Sequence, residues 1–290
     1  MTAPATIGFV GLGQMGQPMA SFIAKGDAPL IGFDQIDGRV PEGADSASSL
    51  ADLVARSETI FLSLPDGKIV NTVASEISVM KDIAGKVIVD LSTIGPDAAR
   101  QAAETFNGAG LTYIDAPVSG GRQGALKASI AIMWAGSKDE FDRHRPVIDL
   151  FCKNAFHIGD LPGQGQAVKL LNNFLSATAM AASSEALLFG LSHGVEMKSI
   201  LDVVKVSTGN NTAIADKFPN RILPGSYDAG FFAELLNKDV QLYNKFVKQA
   251  GTSNMMGAQV ADIWQQVEDE LPPQSDFTLV YEVLKKRTDS

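Results

Sequence analysis

From Ile7 to Ile158 the chain alternates between two periodicities. Short apolar runs predict buried strands, and between them apolar residues return every three or four positions, which predicts helices. In order the pattern gives strand Ile7–Val10, helix Gly13–Ala24, strand Leu30–Phe33, helix through SASSLADLVARSE, strand TIFLSLP and helix Asp66–Met80. It continues with strand KVIVDLST, helix Pro96–Phe106, strand LTYIDAPV, a glycine-rich turn VSGGRQGALKA, strand SIAIMWAG, helix Lys138–Phe151 and strand Ala155–Ile158. Strands alternating with helices imply an α/β fold with a doubly wound parallel sheet, whose ligands bind beyond the carboxyl ends of the strands. Leu64, Pro65, Thr93 and Ser119 fall at those ends. Thr93, like Ser92, also suits capping of the next helix.

After Gly163 the strand pattern stops. Only helical segments follow: Gln166–His193, Met197–Val206, Ala233–Ala250, Met255–Glu268 and Phe277–Lys286. Two domains are therefore expected, residues 1–162 and an all-α unit at 163–290, with Lys169 at their junction. In GQGQAVKLLNNF, Lys169 and Asn173 are one helical turn apart and share a face, so both can reach one small polar ligand. The turns that follow, LSATAMAASSEALLFG, are small and apolar all round, as in a buried helix. A lysine held out of water favours its neutral form and can exchange a proton with a reacting hydroxyl.

The first turn reads GLGQMG between a strand and a helix, so Gly11, Gly13 and Gly16 fit G-x-G-x-x-G in its meaningful context. The first glycine permits the turn, the second lets the backbone approach a pyrophosphate, and the third allows close helix packing. Leu12, Gln14 and Met15 complete the loop, whose amides face the phosphates at the helix start. Asp34 ends the second strand roughly 20 residues further on, placed to accept hydrogen bonds from a ribose. A carboxylate there repels a 2'-phosphate and no Arg immediately follows it, so NAD is favoured over NADP. Further on, Ser119 with Gly120 and Gly121 offers a hydroxyl and consecutive amides to an anion such as a substrate carboxylate.

Composition narrows the classes. A net charge of −9 argues against a nucleic-acid partner. The only cysteine, Cys152, forms no internal disulfide, which suits a reducing cytoplasmic setting. The three histidines are scattered without ligand spacing, so no metal site is expected. Leu170–Leu191 comes nearest to a membrane span, but its Ser, Thr and Asn content and Glu185 favour a core helix.

Taken together, GFVGLGQMGQPMA, DAPVSGG, GQGQAVKLLNN and LLNKDVQL resemble the beta-hydroxyacid dehydrogenase family of the 3-hydroxyisobutyrate type, from about Ile7 to Lys286. The resemblance implies a Rossmann-type domain, a long interdomain helix and an all-α domain that builds a homodimer or homotetramer. It implies that Lys169 is the catalytic lysine with Asn173 beside it, and that Ser119 and Gly120 hold the substrate carboxylate. Thr93 and Lys238 would face the nicotinamide half of the cofactor, with Leu64 and Pro65 along its path, and Phe231 and Asp239 would close the substrate pocket. Arg122 either faces solvent or meets a second polar group on the substrate. The expected activity is hydride transfer between NAD(H) and a small beta-hydroxy acid or its semialdehyde. Aldehyde or imine reduction, or NAD sensing without turnover, are the alternatives.

Overall fold

A computed structural model describes residues 5–288. The backbone divides into two compact units, Met1–Lys169 and Leu170–Ser290. In the first, strands β1 (Ile7–Val10), β2 (Leu30–Phe33), β3 (Asp45–Ser46), β4 (Thr59–Leu62), β5 (Val87–Asp90), β6 (Thr112–Asp115), β7 (Val118–Ser119), β8 (Ile130–Ala135) and β9 (Cys152–Gly159) form one sheet. Its order is β3-β2-β1-β4-β5-β6-β8-β7, with β9 paired to β8. Pairing is parallel from β3 through to β6. The expected parallel sheet then departs from that pattern, because β8 runs antiparallel to β6 and β7. The short path through Ser119–Ser129 lacks the length of a parallel crossover and reverses the chain instead.

Helices α1 (Gly16–Ile23), α2 (Leu50–Arg56), α3 (Gly67–Ser78), α4 (Pro96–Gly108), α5 (Gly121–Leu126) and α6 (Lys138–Phe151) complete this unit. Every residue of β1, β4 and β5 is buried, which is why these strands read as unbroken apolar runs. Alternation survives as a division of labour between faces: Val87 and Val89 join one core cluster, Ile88 the other. Caps set the helix starts, since the side chains of Ser49, Asp66 and Ser137 accept from the amides of Asp52, Ile69 and Glu140. Two sequence expectations change here. SASS is no helix, because Asp45–Ser46 pairs as an edge strand and α2 begins only after Ser49. The glycine-rich turn after Pro117 contains the short helix α5.

Helix α7 runs from Gln164 to Ser192. The second unit adds α8 (Met197–Lys205), a π-helical segment Ala213–Ile222, α9 (Ala233–Ala250), α10 (Met255–Glu270), a 3₁₀ turn Phe277–Leu279 and α11 (Val280–Thr288). The sequence pattern does not announce the π-helical segment; Pro219 and a polar run obscure its apolar face, although Ile214, Phe218 and Ile222 are buried. The core of this unit gathers Met180, Leu187, Phe218, Leu236, Val240 and Trp264. The Trp264 indole donates to the Ala177 carbonyl at 3.2 Å. The expectation of a wholly buried α7 is corrected: Leu175 and Phe189 are 59% and 68% exposed in the single chain. By length and composition alone α7 could cross a membrane. Yet Ala177, Met180 and Leu187 on it belong to the core of the second unit.

A buried polar cluster in the first unit carries a pH dependence. His144 Nδ1 lies 2.8 Å from the Glu140 carbonyl, which can only accept, so that nitrogen carries the proton and Nε2 accepts from Thr59 Oγ1 at 3.0 Å. Burial pushes the imidazole below its usual value, although the Glu140 carbonyl and carboxylate pull the other way. The unfolded chain therefore takes up this proton at a pH where the fold does not. The stabilisation is complete above about pH 6.5 and is lost as pH falls from there toward the depressed folded value. Thermal midpoints at about pH 7.5 and pH 5.5 should fall further for the natural protein than for His144→Gln, which removes this titration.

The first turn supplies a second test. A Cβ on Gly16 would sit 1.9 Å from the Gly11 carbonyl oxygen, whereas a Cβ on Gly13 would meet nothing within 4 Å. Gly16→Ala should lower the melting temperature by several degrees. Gly13→Ala should melt near the natural protein yet bind NAD about tenfold or more weakly in a titration, because its methyl enters the space a pyrophosphate needs.

Candidate active site

The loop after β1 is fixed from two sides. Gly11 N donates to Phe33 O at 3.0 Å, and Leu12 N donates to Asp34 Oδ2 at 2.7 Å. The other Asp34 oxygen accepts from Ile36 N at 2.8 Å. Asp34 is thus held in place at the end of β2, beside the glycine turn. Arg39 lies close by, with Nη1 3.4 Å from Asp34 Oδ1. Spacing alone pointed to no Arg here, because Arg39 reaches back across the turn from further along the chain. The open space at Gly13 and the carboxylate of Asp34 fit the diphosphate and ribose of a dinucleotide.

Next to this loop, the ends of β4, β5 and β6 are joined by side-chain bonds. Leu64 N donates to Ser92 Oγ at 2.8 Å, and Ser92 N donates to Asp90 Oδ1 at 2.9 Å. Tyr113 donates its hydroxyl to Asp90 Oδ2 at 2.9 Å. Burial pushes Asp90 up to about 6, while the hydrogen bonds from Ser92 and Tyr113 hold it back. Burial, and then the Asp90 and Asp115 charges, push the Tyr113 phenol well above its usual value, so it stays a donor. The N-cap position of α4 belongs to Gly95, and Pro96 opens the helix. Thr93 lies half-buried between Ser92 and the buried Ile94 and Gly95.

Helix α7 starts against the same strand ends. Gly165 has no side chain because a Cβ would lie 2.5 Å from the Met133 carbonyl oxygen. One turn later comes Lys169, only 8% exposed, then Leu170 in the buried interior. Two groups that the sequence reading did not single out, Asp115 and Gln166, tie this helix start to the strand ends. Asp115 Oδ2 accepts from Gly163 N at 2.9 Å and Gln166 N at 3.1 Å, and Oδ1 accepts from Gln166 Nε2 at 2.7 Å. Gln166 Nε2 also donates to Ser92 O, and its Oε1 accepts from Ile94 N and Gly95 N. A signal for both was present: Gln166, Lys169 and Asn173 form one polar line along a helix, and both β5 and β6 end in Asp.

Ser119 ends β7 and is partly exposed; Gly120, at φ 131°, and Gly121, at φ 60°, turn the chain into α5. The opening amides of α5 have no acceptor within the helix. Arg122 is solvent-exposed. In the second unit, Asn173 is buried and donates from Nδ2 to Asp239 Oδ2 at 2.6 Å. Lys238 Nζ lies 3.4 Å from the other oxygen of Asp239, which is itself buried. The Phe231 carbonyl accepts from Phe277 N, and the two rings meet edge-on at 6.2 Å. The structure thus groups Leu64, Ser92, Asp90, Asp115 and Gln166 in the first unit and Asn173, Lys238 and Asp239 in the second. Among the described residues no cluster of three or more His, Cys, Asp or Glu could hold a metal ion.

Comparison with known proteins places the chain in a family. Residues 6–159 match the NAD binding domain of 6-phosphogluconate dehydrogenase. Residues 163–284 match the NAD-binding domain of NADP-dependent 3-hydroxyisobutyrate dehydrogenase. The chain is 34% identical to a 2-(hydroxymethyl)glutarate dehydrogenase of Eubacterium barkeri over 89% of its own length and 88% of the relative's. It is 34% identical to a 3-hydroxyisobutyrate dehydrogenase of Pseudomonas aeruginosa over 87% and 88%. A solved 3-hydroxyisobutyrate dehydrogenase of Mycobacterium tuberculosis with L-serine superposes at a TM-score of 0.89, with 29% identity, over 97% of this chain and 99% of that one. Two domain matches in order, near-complete coverage and an NAD-shaped first turn lead to one conclusion: the chain belongs to the beta-hydroxyacid dehydrogenase family of NAD-dependent oxidoreductases.

Proposed function

We propose that this protein oxidises a small beta-hydroxy acid, or reduces the matching semialdehyde, with Lys169 as the proton carrier. The observation that carries the reading is a lysine taken out of water one turn into α7, immediately after a helix start anchored to the carboxyl edge of the sheet. Bound NAD would supply the hydride acceptor. Gly11, Leu12, Gly13, Gln14, Met15 and Gly16 hold its diphosphate, Asp34 its ribose, and Leu64, Pro65, Thr93 and Lys238 its nicotinamide half.

In oxidation the Lys169 amine accepts the hydroxyl proton from the substrate; in reduction its ammonium returns one. Ser119 and Gly120 hold the carboxylate, and Asn173 keeps the hydroxyl in line. Asp239 orients Asn173 through their hydrogen bond, and Phe231 gives the substrate an apolar neighbour. The relatives that act on 3-hydroxyisobutyrate and 2-(hydroxymethyl)glutarate support a short acid bearing a primary alcohol. Exposed Leu171, Leu175 and Phe189 on α7 suit assembly into a homodimer or homotetramer. A reducing cytoplasmic setting accords with the lone buried Cys152.

The test is cofactor reduction followed at 340 nm with a panel of small hydroxy acids. Lys169→Ala should lower turnover ~100-fold or more while NAD affinity in a binding titration is retained. Oxidation should speed up toward alkaline pH and reduction toward lower pH, since one needs the amine and the other the ammonium. Near-normal turnover in Lys169→Ala would remove the lysine from this role. NAD should also outperform NADP, and Asp34→Ala should raise the KM for NAD about tenfold by removing a charged acceptor.

A further inference from the structure

We propose that Asp115 and Gln166 are positioning residues that lock the start of α7 to the 92–95 segment and so fix where Lys169 is presented. The inference rests on the lysine assignment above. Gln166 is fully buried and its carboxamide is saturated: two acceptor positions filled by Ile94 N and Gly95 N, two donors given to Ser92 O and Asp115 Oδ1. Asp115 in turn receives Gly163 N and Gln166 N, the amides at the opening of α7. An anion there also meets the positive end of the helix. Burial pushes Asp115 up to about 7, while the Gln166 and Gly163 donors hold it down.

The polarity of this set admits one solution. Apart from the two side chains, every partner is a backbone group whose donor or acceptor character cannot change. If the Gln166 amide were flipped, its oxygen would face Ser92 O and its nitrogen would face two N–H groups. Asp115→Asn would set an NH2 against an N–H whichever way the new amide turned, either at Gly163 and Gln166 or at Gln166 Nε2. Lys169 lies one turn beyond Gln166 on the same helical face. A small tilt of the first turn of α7 therefore moves its amine, and misplacement of about 1 Å can cost ~100-fold in turnover.

The double exchange Asp115→Asn with Gln166→Glu reverses both members. The carboxamide introduced on β6 then accepts from the two α7 amides and donates to the carboxylate introduced on α7, whose other oxygen still accepts from Ile94 N and Gly95 N. At Ser92 O the bond is lost and a carboxylate oxygen faces the carbonyl, so the reversal restores every partner but that one. The experiment compares the natural enzyme, D115N, Q166E, the double variant and K169A for kcat, KM, melting temperature and amide hydrogen exchange without cofactor. D115N and Q166E should lose ~10- to 100-fold in kcat with the KM for NAD within about threefold, and Ile94 and Gly95 amides should exchange faster. The double variant should recover part of that loss in kcat and protection, the remainder reflecting the unmatched Ser92 carbonyl.

Natural kcat in D115N, unchanged exchange at Ile94 and Gly95 in both single variants, or a double variant no better than the worse single would overturn the proposal. Should a single variant not fold, the double variant alone decides it by the same readings. A natural enzyme inactive on all hydroxy acids, or an active K169A, would instead remove the functional reading, while the exchange data would still report on the clamp.

Discussion

A buried carboxamide has four hydrogen-bonding positions, and leaving any of them empty costs about 1–3 kcal/mol. At Gln166 all four are filled, and the partners come from two stretches far from it in sequence, the 92–95 segment and the end of β6. Much of the local order follows from that constraint. Asp115 must be an acceptor on both oxygens, Ser92 must present its carbonyl, and the chain at Ile94 and Gly95 must turn both amides toward the helix. The Ser92 side chain then extends the order to β4 through Leu64 N, and Asp90 extends it to Tyr113. The positions expected near the nicotinamide, Leu64, Pro65 and Thr93, lie in or between these tied segments.

The dinucleotide loop depends on space instead. Gly11 and Gly16 are small because backbone carbonyls occupy the places where side chains would begin, the Ser63 and Gly11 oxygens respectively. Gly13 has no such neighbour. A residue that is small without any crowding from the protein leaves room for something the protein does not supply, and a pyrophosphate against free amides fits that room. Sterics thus separate the two glycines that the fold requires from the one it does not, although the sequence motif writes all three alike.

Local pattern was enough for most of the fold. Four-residue buried runs such as IGFV and VIVD and the caps Ser49, Asp66 and Ser137 need no distant information. The antiparallel β8, the two-residue β3 and the π-helical segment did need it, since each is decided by pairing or packing between remote residues rather than by its own periodicity. The burial of α7 departs from its composition for a related reason. Composition reports that a helix is apolar, but Leu175 and Phe189 are exposed while polar Gln166, Lys169 and Asn173 are enclosed. At the candidate site, type and spacing pointed to Gly13, Asp34 and Lys169, which the structure finds uncrowded, held beside the first turn and buried, respectively. Asp115 and Gln166 were not, because their work is bonding to backbone, and backbone partners leave no trace in the alphabet of side chains.

That inversion on α7 is itself the argument for chemistry there. Enclosing a lysine, an asparagine and a glutamine along one helical line opposes the ordinary gain from burying apolar rather than polar surface. For Gln166 the compensation is visible, four hydrogen bonds to groups of fixed polarity. For Asn173 it is the Asp239 carboxylate at 2.6 Å. The role proposed for Lys169 accounts for the whole line, because a proton carrier must be delivered to one address, and the residues before and after it on the helix are the ones whose own positions are pinned by hydrogen bonds.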